Sequence, residues 1–199
     1  MYPNDFLNSD RISSIRESLN RASDAALQAV IDSSVKCFML RNRLELSENG
    51  VLEPVARRRR HYLTAVINPA HRKALTRLVT SNHSLSVEVQ RYGDRNHREI
   101  PREKCLCRFC EASVEDEPHA LLLCEGNNEL LRLRAAFYRE LFTLDGSLWG
   151  HHCSGDAYRF LHATLASRKA VARFARYVHE VLGVYATVPP YWADGYHAR

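Results

Sequence analysis

The spacing Cys107-Arg108-Phe109-Cys110, then eight residues, then His119, then four more and Cys124, constrains this chain more than any other feature. Zinc takes thiolate sulfur and imidazole nitrogen in a tetrahedron, and structural sites fill all four positions with protein side chains. Two residues between cysteines let a tight turn aim both sulfurs at one ion. Cys107, Cys110, His119 and Cys124 are therefore the candidate ligands of one structural Zn2+. In small zinc peptides the binding energy is folding energy, of order 10 kcal/mol. With four protein ligands and no further polar group poised beside them, the site is not expected to be catalytic.

Pro118 suits the first turn of a helix, which places His119 on that helix and Cys124 at its end. On a regular α-helix a separation of five residues rotates side chains by about 140°. Either the helix loosens before Cys124, or Cys124 lies just past its end, with Gly126 close by to permit the change. Cys105 is a competing ligand of lower rank, because i and i+2 side chains generally diverge. Cys37 and Cys153 read as core or free thiols, and His151-His152 as a surface pair.

The rest of the chain predicts a mostly α architecture: a helical domain with a small CCHC zinc-stapled segment in its middle. Only eight glycines and seven prolines interrupt 199 residues, and hydrophobic residues make up 45%, which suits helices around a real core. Asp10 to Leu46 reads as helix in two pieces, with Ser23-Asp24 capping a second face of Leu27, Ile31, Val35 and Phe38. Glu48-Asn49-Gly50 ends it, and Pro54 marks a new start. The run Tyr62 to Ile67 leads through an Asn68-Pro69 turn to a helix from His71 to Val79, with Ala74, Leu75 and Leu78 inward. Leu85 to Val89 is a short strand or a helical turn, and Gly93 to Pro101 an exposed connection. Asn127 or Asn128 caps a helix to about Leu144, burying Leu130, Leu133 or Arg134, Phe137 and Leu141, and stopped by Asp145-Gly146. Two more helices follow, Gly155 to Ala166 and Ser167 to Val184, the latter with Val171, Phe174, Ala175, Val178 and Leu182 on one stripe. The tail from Pro189 is loose, with Tyr191 and Trp192 able to dock. Three segments result: 1–56, 57–144 and 145–199.

Charge is unevenly spread. From Arg57 to Arg108 there are thirteen Lys or Arg against four acids, a local +9, while fifteen against nineteen elsewhere leave −4. Such a basic middle suggests a polyanionic partner. No segment reaches the roughly 20 apolar residues of a membrane span, and the first residues lack a secretory pattern. The chain reads as intracellular, in nucleus or cytoplasm, where cysteines serve metals more than disulfides.

Residues Cys107-Arg108-Phe109-Cys110 and Val114-Glu115-Asp116-Glu117-Pro118-His119-Ala120-Leu121-Leu122-Leu123-Cys124, with Ala74-Leu75-Thr76-Arg77-Leu78-Val79-Thr80-Ser81-Asn82-His83-Ser84-Leu85 before them, resemble the zinc-binding region that follows the polymerase in non-LTR retrotransposon reverse transcriptases. The resemblance spans about residues 60 to 140. It implies a nucleic-acid partner, RNA or nicked DNA, and a fragment or domesticated relic of such an element. The magnesium-holding Asp-Asp pair of a polymerase does not occur; Asp194 in Tyr191-Trp192-Ala193-Asp194 stands alone, and no enzyme activity is expected.

Two functions follow. In the first, Arg57, Arg58, Arg59, Arg60, Arg72, Lys73 and Arg77 contact nucleic-acid phosphates, and Tyr62, Tyr92 and Phe109 are candidates for stacking on bases. In the second, zinc staples a protein-interaction scaffold whose partner binds the helices after Asn127. There the acidic loop of Glu111, Glu115, Asp116 and Glu117 pairs with arginines or with a partner. A hydrolase built on His151, His152 and Asp156 is a third and weaker reading.

Overall fold

The computed structural model describes residues 9–34, 36, 38–41, 44–46, 52–54, 60–93, 95–193 and 195–196, with the backbone alone described at 44–46 and 52–54. The chain divides into two compact units, Met1–Arg59 and Arg60–Arg199. The division falls close to the expected boundary after residue 56. Residues 145–199, expected as a third segment, pack with the zinc-binding region in the second unit.

The first unit contains helix α1, Ser9–Ser33. It is one helix rather than two: the expected cap, Ser23-Asp24, lies inside it. A cap needs a non-helical backbone, and no Gly or Pro breaks the run on either side. No residue of α1 is buried, so its expected apolar face has no core beneath it. Leu27 is exposed and Ile31 half-buried, and Val35 lies outside the described residues. A 3₁₀ turn at Phe38–Leu40 follows. Strands β1, Leu44–Leu46, and β2, Leu52–Pro54, then pair antiparallel with Leu44 opposite Pro54. Helix was expected through Leu46 and a new start at Pro54; instead a short ribbon forms, with Pro54 at its end, where a proline is tolerated.

The second unit is built on three packed helices, α3 (Pro69–Val79), α5 (Asn128–Leu144) and α8 (Val171–Ala186), with α8 against both others. A short α2, Tyr62–Ala65, precedes them. The Asn68 side chain accepts hydrogen bonds from Ala70 N and His71 N, and Pro69 sits at the helix start, so α3 begins earlier than His71. Asn127 caps α5 in the same way, accepting from Glu129 N and Leu130 N. Leu75 and Leu78 of α3, Phe137 and Leu141 of α5, and Phe174 and Val178 of α8 form the core. Phe137 and Tyr177 stack at 4.1 Å.

Around this frame, Leu85–Val89 resolves as a helical turn, α4, Ser86–Val89. Two helices, α6 (Leu148–Cys153) and α7 (Ala157–Ala166), pack on each other; α6 was not anticipated. Asp156 caps α7 by accepting from Arg159 N. The buried stripe of α8 continues through Val181 and Tyr185 rather than the half-buried Leu182, because α8 is covered on two sides. In the connection before Pro101, Ile100 is buried and His97 stacks on Trp192 at 3.9 Å. Gln90 Nε2 also donates to Tyr191 O at 2.5 Å, so the start of the tail is docked.

Candidate metal centre

The site begins as a small hairpin. Leu106 and Val114 form an antiparallel bridge, Cys107 N donates to Ser113 O at 2.8 Å, and Glu115 N to Cys105 O at 2.8 Å. Glu111 N reaches back to Cys107 O at 2.8 Å, closing the turn between the two cysteines, and Glu111 itself has φ of 52°. The second half follows from Asp116, whose carboxylate accepts from His119 N at 3.0 Å and whose carbonyl accepts from Ala120 N at 2.9 Å. His119–Leu123 is then a π turn, and Cys124, extended, donates its N–H to His119 O at 2.8 Å. Both sequence alternatives hold together: the helix loosens, and Cys124 lies just past it. A five-residue hydrogen-bonded loop carries Cys124 back over His119 where an α-helix would have turned it away.

The ligand atoms of Cys107, Cys110, His119 and Cys124 all lie within 4.8 Å of one another. Cys107 Sγ is 3.6 Å from Cys124 Sγ, and Cys110 Sγ is 3.4 Å from His119 Nε2. Zinc–sulfur bonds of about 2.3 Å imply tetrahedral edges of about 3.8 Å, so the donors need move only a little to close on an ion. Cys107, His119 and Cys124 are buried and Cys110 is half-buried. The backbone at Phe109 and Cys110 lowers the Cys107 thiol's pKa, that at Gly126 lowers the Cys124 thiol's, and the His119 ring also lowers that of Cys107. All of these favour thiolate. The hydrogen bond between the two sulfurs splits their titration: it brings Cys124 down to about 7 and, with burial, lifts Cys107 to about 11. These donors fit a single structural zinc, which would be held by three sulfurs and one imidazole nitrogen.

Cys105 is not among them. Its buried sulfur faces Ile100 O at 3.7 Å and Pro101 O at 3.5 Å, and burial pushes its thiol up to about 11.

Two features of the centre escaped the sequence reading. Arg134, one of two candidates for a core position, is buried; its Nε donates to Leu121 O at 3.2 Å and its Nη2 to Cys124 O at 2.7 Å. Tyr177 Oη also donates to Leu121 O. Leu121 O of the π turn and Cys124 O just past it are thus satisfied by side chains of α5 and α8. Arg108, between the ligand cysteines, is buried against Glu115 at 2.6 Å, and donates further to Tyr185 O at 2.7 Å and Ser84 O at 2.8 Å. An arginine inside the CxxC and an acid seven residues on were the only visible signals.

The acidic loop is accordingly not a solvated face. Glu115 also accepts from Ser86 N at 2.8 Å, tying the hairpin to α4. Glu117 pairs with His83 at 3.2 Å and Arg102 at 3.5 Å. Burial alone would raise the Glu117 carboxyl, but the His83 hydrogen bond and charge outweigh it and hold it below the ordinary range. Only Glu111 of the four acids is exposed.

Among the expected phosphate contacts, Arg57, Arg58 and Arg59 lie outside the described residues, and Arg60 is half-buried. Arg72 is half-buried and gives Nη1 to Val66 O at 3.0 Å. Lys73 and Arg77 are exposed on α3, and among the described residues neither has an acid partner. Of the candidate stacking rings, Tyr62 is core and Phe109 packs on Tyr185 at 4.9 Å, whereas Tyr92 is exposed. His152, expected on the surface, is half-buried among Tyr138, Phe142, Trp149 and Phe160. Asp156, the third member of the hydrolase grouping, accepts from Arg159 N as the α7 cap.

No family model matches the chain, and neither the curated proteins nor the solved structures hold a match to it. What the fold and the centre define is a mostly helical protein whose Cys107, Cys110, His119 and Cys124 side chains form a site for one structural zinc. Among the described residues no helix is long and apolar enough to cross a membrane.

Proposed function

We propose that this chain is a non-catalytic, zinc-stabilised module that binds single-stranded RNA or DNA, related to the region that follows the polymerase in non-LTR retrotransposon reverse transcriptases. The observation that carries the reading is Lys73 and Arg77, four residues apart on α3, exposed and without acid partners among the described residues. Other charges of this region are spent internally: Arg108 on Glu115, Arg102 on Asp116 and Glu117. The zinc acts at one remove. Arg108 on Ser84 O, and Glu117 on His83, hold the turn after α3 against the zinc hairpin, so the ion would organise the helix that presents the cations.

Fluorescence anisotropy with a labelled single-stranded RNA, titrated over salt, tests this. Each cation removed by Lys73→Ala or Arg77→Ala should lower the slope of log affinity against log salt by about 0.7. Unchanged slopes in both variants would exclude α3 from the contact surface. The second reading, a protein-interaction scaffold, has its support in Leu144 and Trp149, exposed large apolar side chains on α5 and α6. Absence of any salt-sensitive binding to RNA or DNA would favour it.

A further inference from the structure

An open cleft of about 610 Å³ lies between α3 and α8. Lys73 and Arg77 line it from α3, Asn82 from the turn that follows, and His179, Leu182 and Gly183 from α8, with no carboxylate in the lining. A concave surface carrying two cations and no acid concentrates anions.

Gly183 supplies an independent pointer. It sits inside α8, Val171–Ala186, where glycine is among the least favourable residues. A helical glycine is explained when a neighbour needs the space of its side chain. Here a Cβ would meet nothing within 4 Å. No described group of the protein occupies the space, and it opens into the cleft.

We infer that the cleft seats one nucleotide unit of a bound single strand. Lys73 and Arg77 take its phosphate, and its base lies against His179, Leu182 and the bare backbone of α8 at Gly183. This rests on the nucleic-acid reading above and names where the strand is held. Pockets of about 300–1,000 Å³ suit small ligands, and an unstacked nucleotide can enter one. A duplex cannot, because its bases are stacked inside. The occupant is accordingly an unpaired nucleotide.

The zinc-loaded full chain and its Gly183→Met variant test the assignment, with short single-stranded RNA and adenosine 5′-monophosphate as probes. Methionine is a far better helix former than glycine, so the melting temperature should hold or rise while the cleft fills. Strand binding should weaken about tenfold, a loss of about 1.4 kcal/mol, and chemical-shift changes caused by the mononucleotide at α3 and α8 should disappear. Strand binding that survives in Gly183→Met but falls in Lys73→Ala and Arg77→Ala overturns the cleft and leaves the nucleic-acid reading standing. Mononucleotide binding lost in Gly183→Met, in a protein that binds no strand, keeps the cleft and removes that reading. Binding of neither probe overturns both. Equal displacement of the mononucleotide by a poly-glutamate peptide would show a site for acidic groups at large, and would overturn the nucleotide assignment.

Discussion

A Cβ placed on Gly126 would stand 2.5 Å from the carbonyl oxygen of Phe109. The same Cβ would stand 2.8 Å from Cys110 N, so the chain leaving Cys124 crosses directly over the peptide between Phe109 and Cys110. That crossing brings the two halves of the zinc site together, and only glycine permits it.

Gly126→Ala should separate the halves. A backbone clash of this kind has no flexible neighbour to absorb it, and overpacking typically costs about 1–3 kcal/mol. Thermal unfolding should show the loss, and native mass spectrometry a lower zinc occupancy. Full occupancy with wild-type melting would mean that the crossing is looser than its geometry indicates.

Removing the metal, or a ligand, should unfold the region around the hairpin rather than silence a surface. Cys110→Ala and His119→Ala each open one of four positions, and structural zinc contributes on the order of 10 kcal/mol in small zinc peptides. Near-ultraviolet circular dichroism before and after a strong chelator reads the effect. A spectrum unchanged in both variants and after chelation would count against a structural ion.

Arg134→Met should cost about 2–4 kcal/mol, since two charge-assisted hydrogen bonds are lost and the buried Cys124 O is left short, while Leu121 O keeps its bond from Tyr177. The planar fork spans Leu121 O and Cys124 O together, so Arg134→Lys should rescue only part of the loss. Denaturant midpoints for the pair of variants, measured with saturating zinc, decide this; full rescue by lysine would show that geometry is unimportant.

Acid should weaken the fold through His162. Burial lowers its pKa below the ordinary 6.5, outweighing the opposing charge of Asp156, and its Nε2 is buried without a partner among the described residues. Below 6.5 the unfolded chain binds a proton that the folded chain refuses. Stability from this residue is thus present above 6.5 and lost as pH falls. His162→Leu should flatten that limb of a urea-midpoint profile and raise stability by about 1 kcal/mol. An equally steep limb in the variant would move the cause elsewhere.

Local spacing made much of the helical frame readable. Asn127 caps α5 as expected, the Asn68-Pro69 turn leads into α3, and Leu75, Leu78, Phe137 and Leu141 recur at intervals that give each helix one buried face. The misreadings share a cause. α1 has the composition of a helix whatever covers it, so the chain pattern gave no warning that none of its residues would be buried. β1 and β2 are three residues each, too short for a period of two to register. The half-burial of His152 was not visible locally because the rings around it come from α5, α6 and α7.

The identity of the zinc ligands was settled in the amino-acid order, because four donors within eighteen residues can meet through short-range turns alone. The order also gave the conflict between His119 and Cys124, whose spacing no regular helix satisfies. Which charges remain for a partner was decided only by the tertiary structure. Arg108 is consumed by Glu115 on the same hairpin and by the carbonyl of Tyr185 on α8, whereas Lys73 and Arg77 are left facing solvent. A charge is spent or free according to what packs against it, and for Arg108 that includes an oxygen 77 positions away in the chain, beyond the reach of any local pattern.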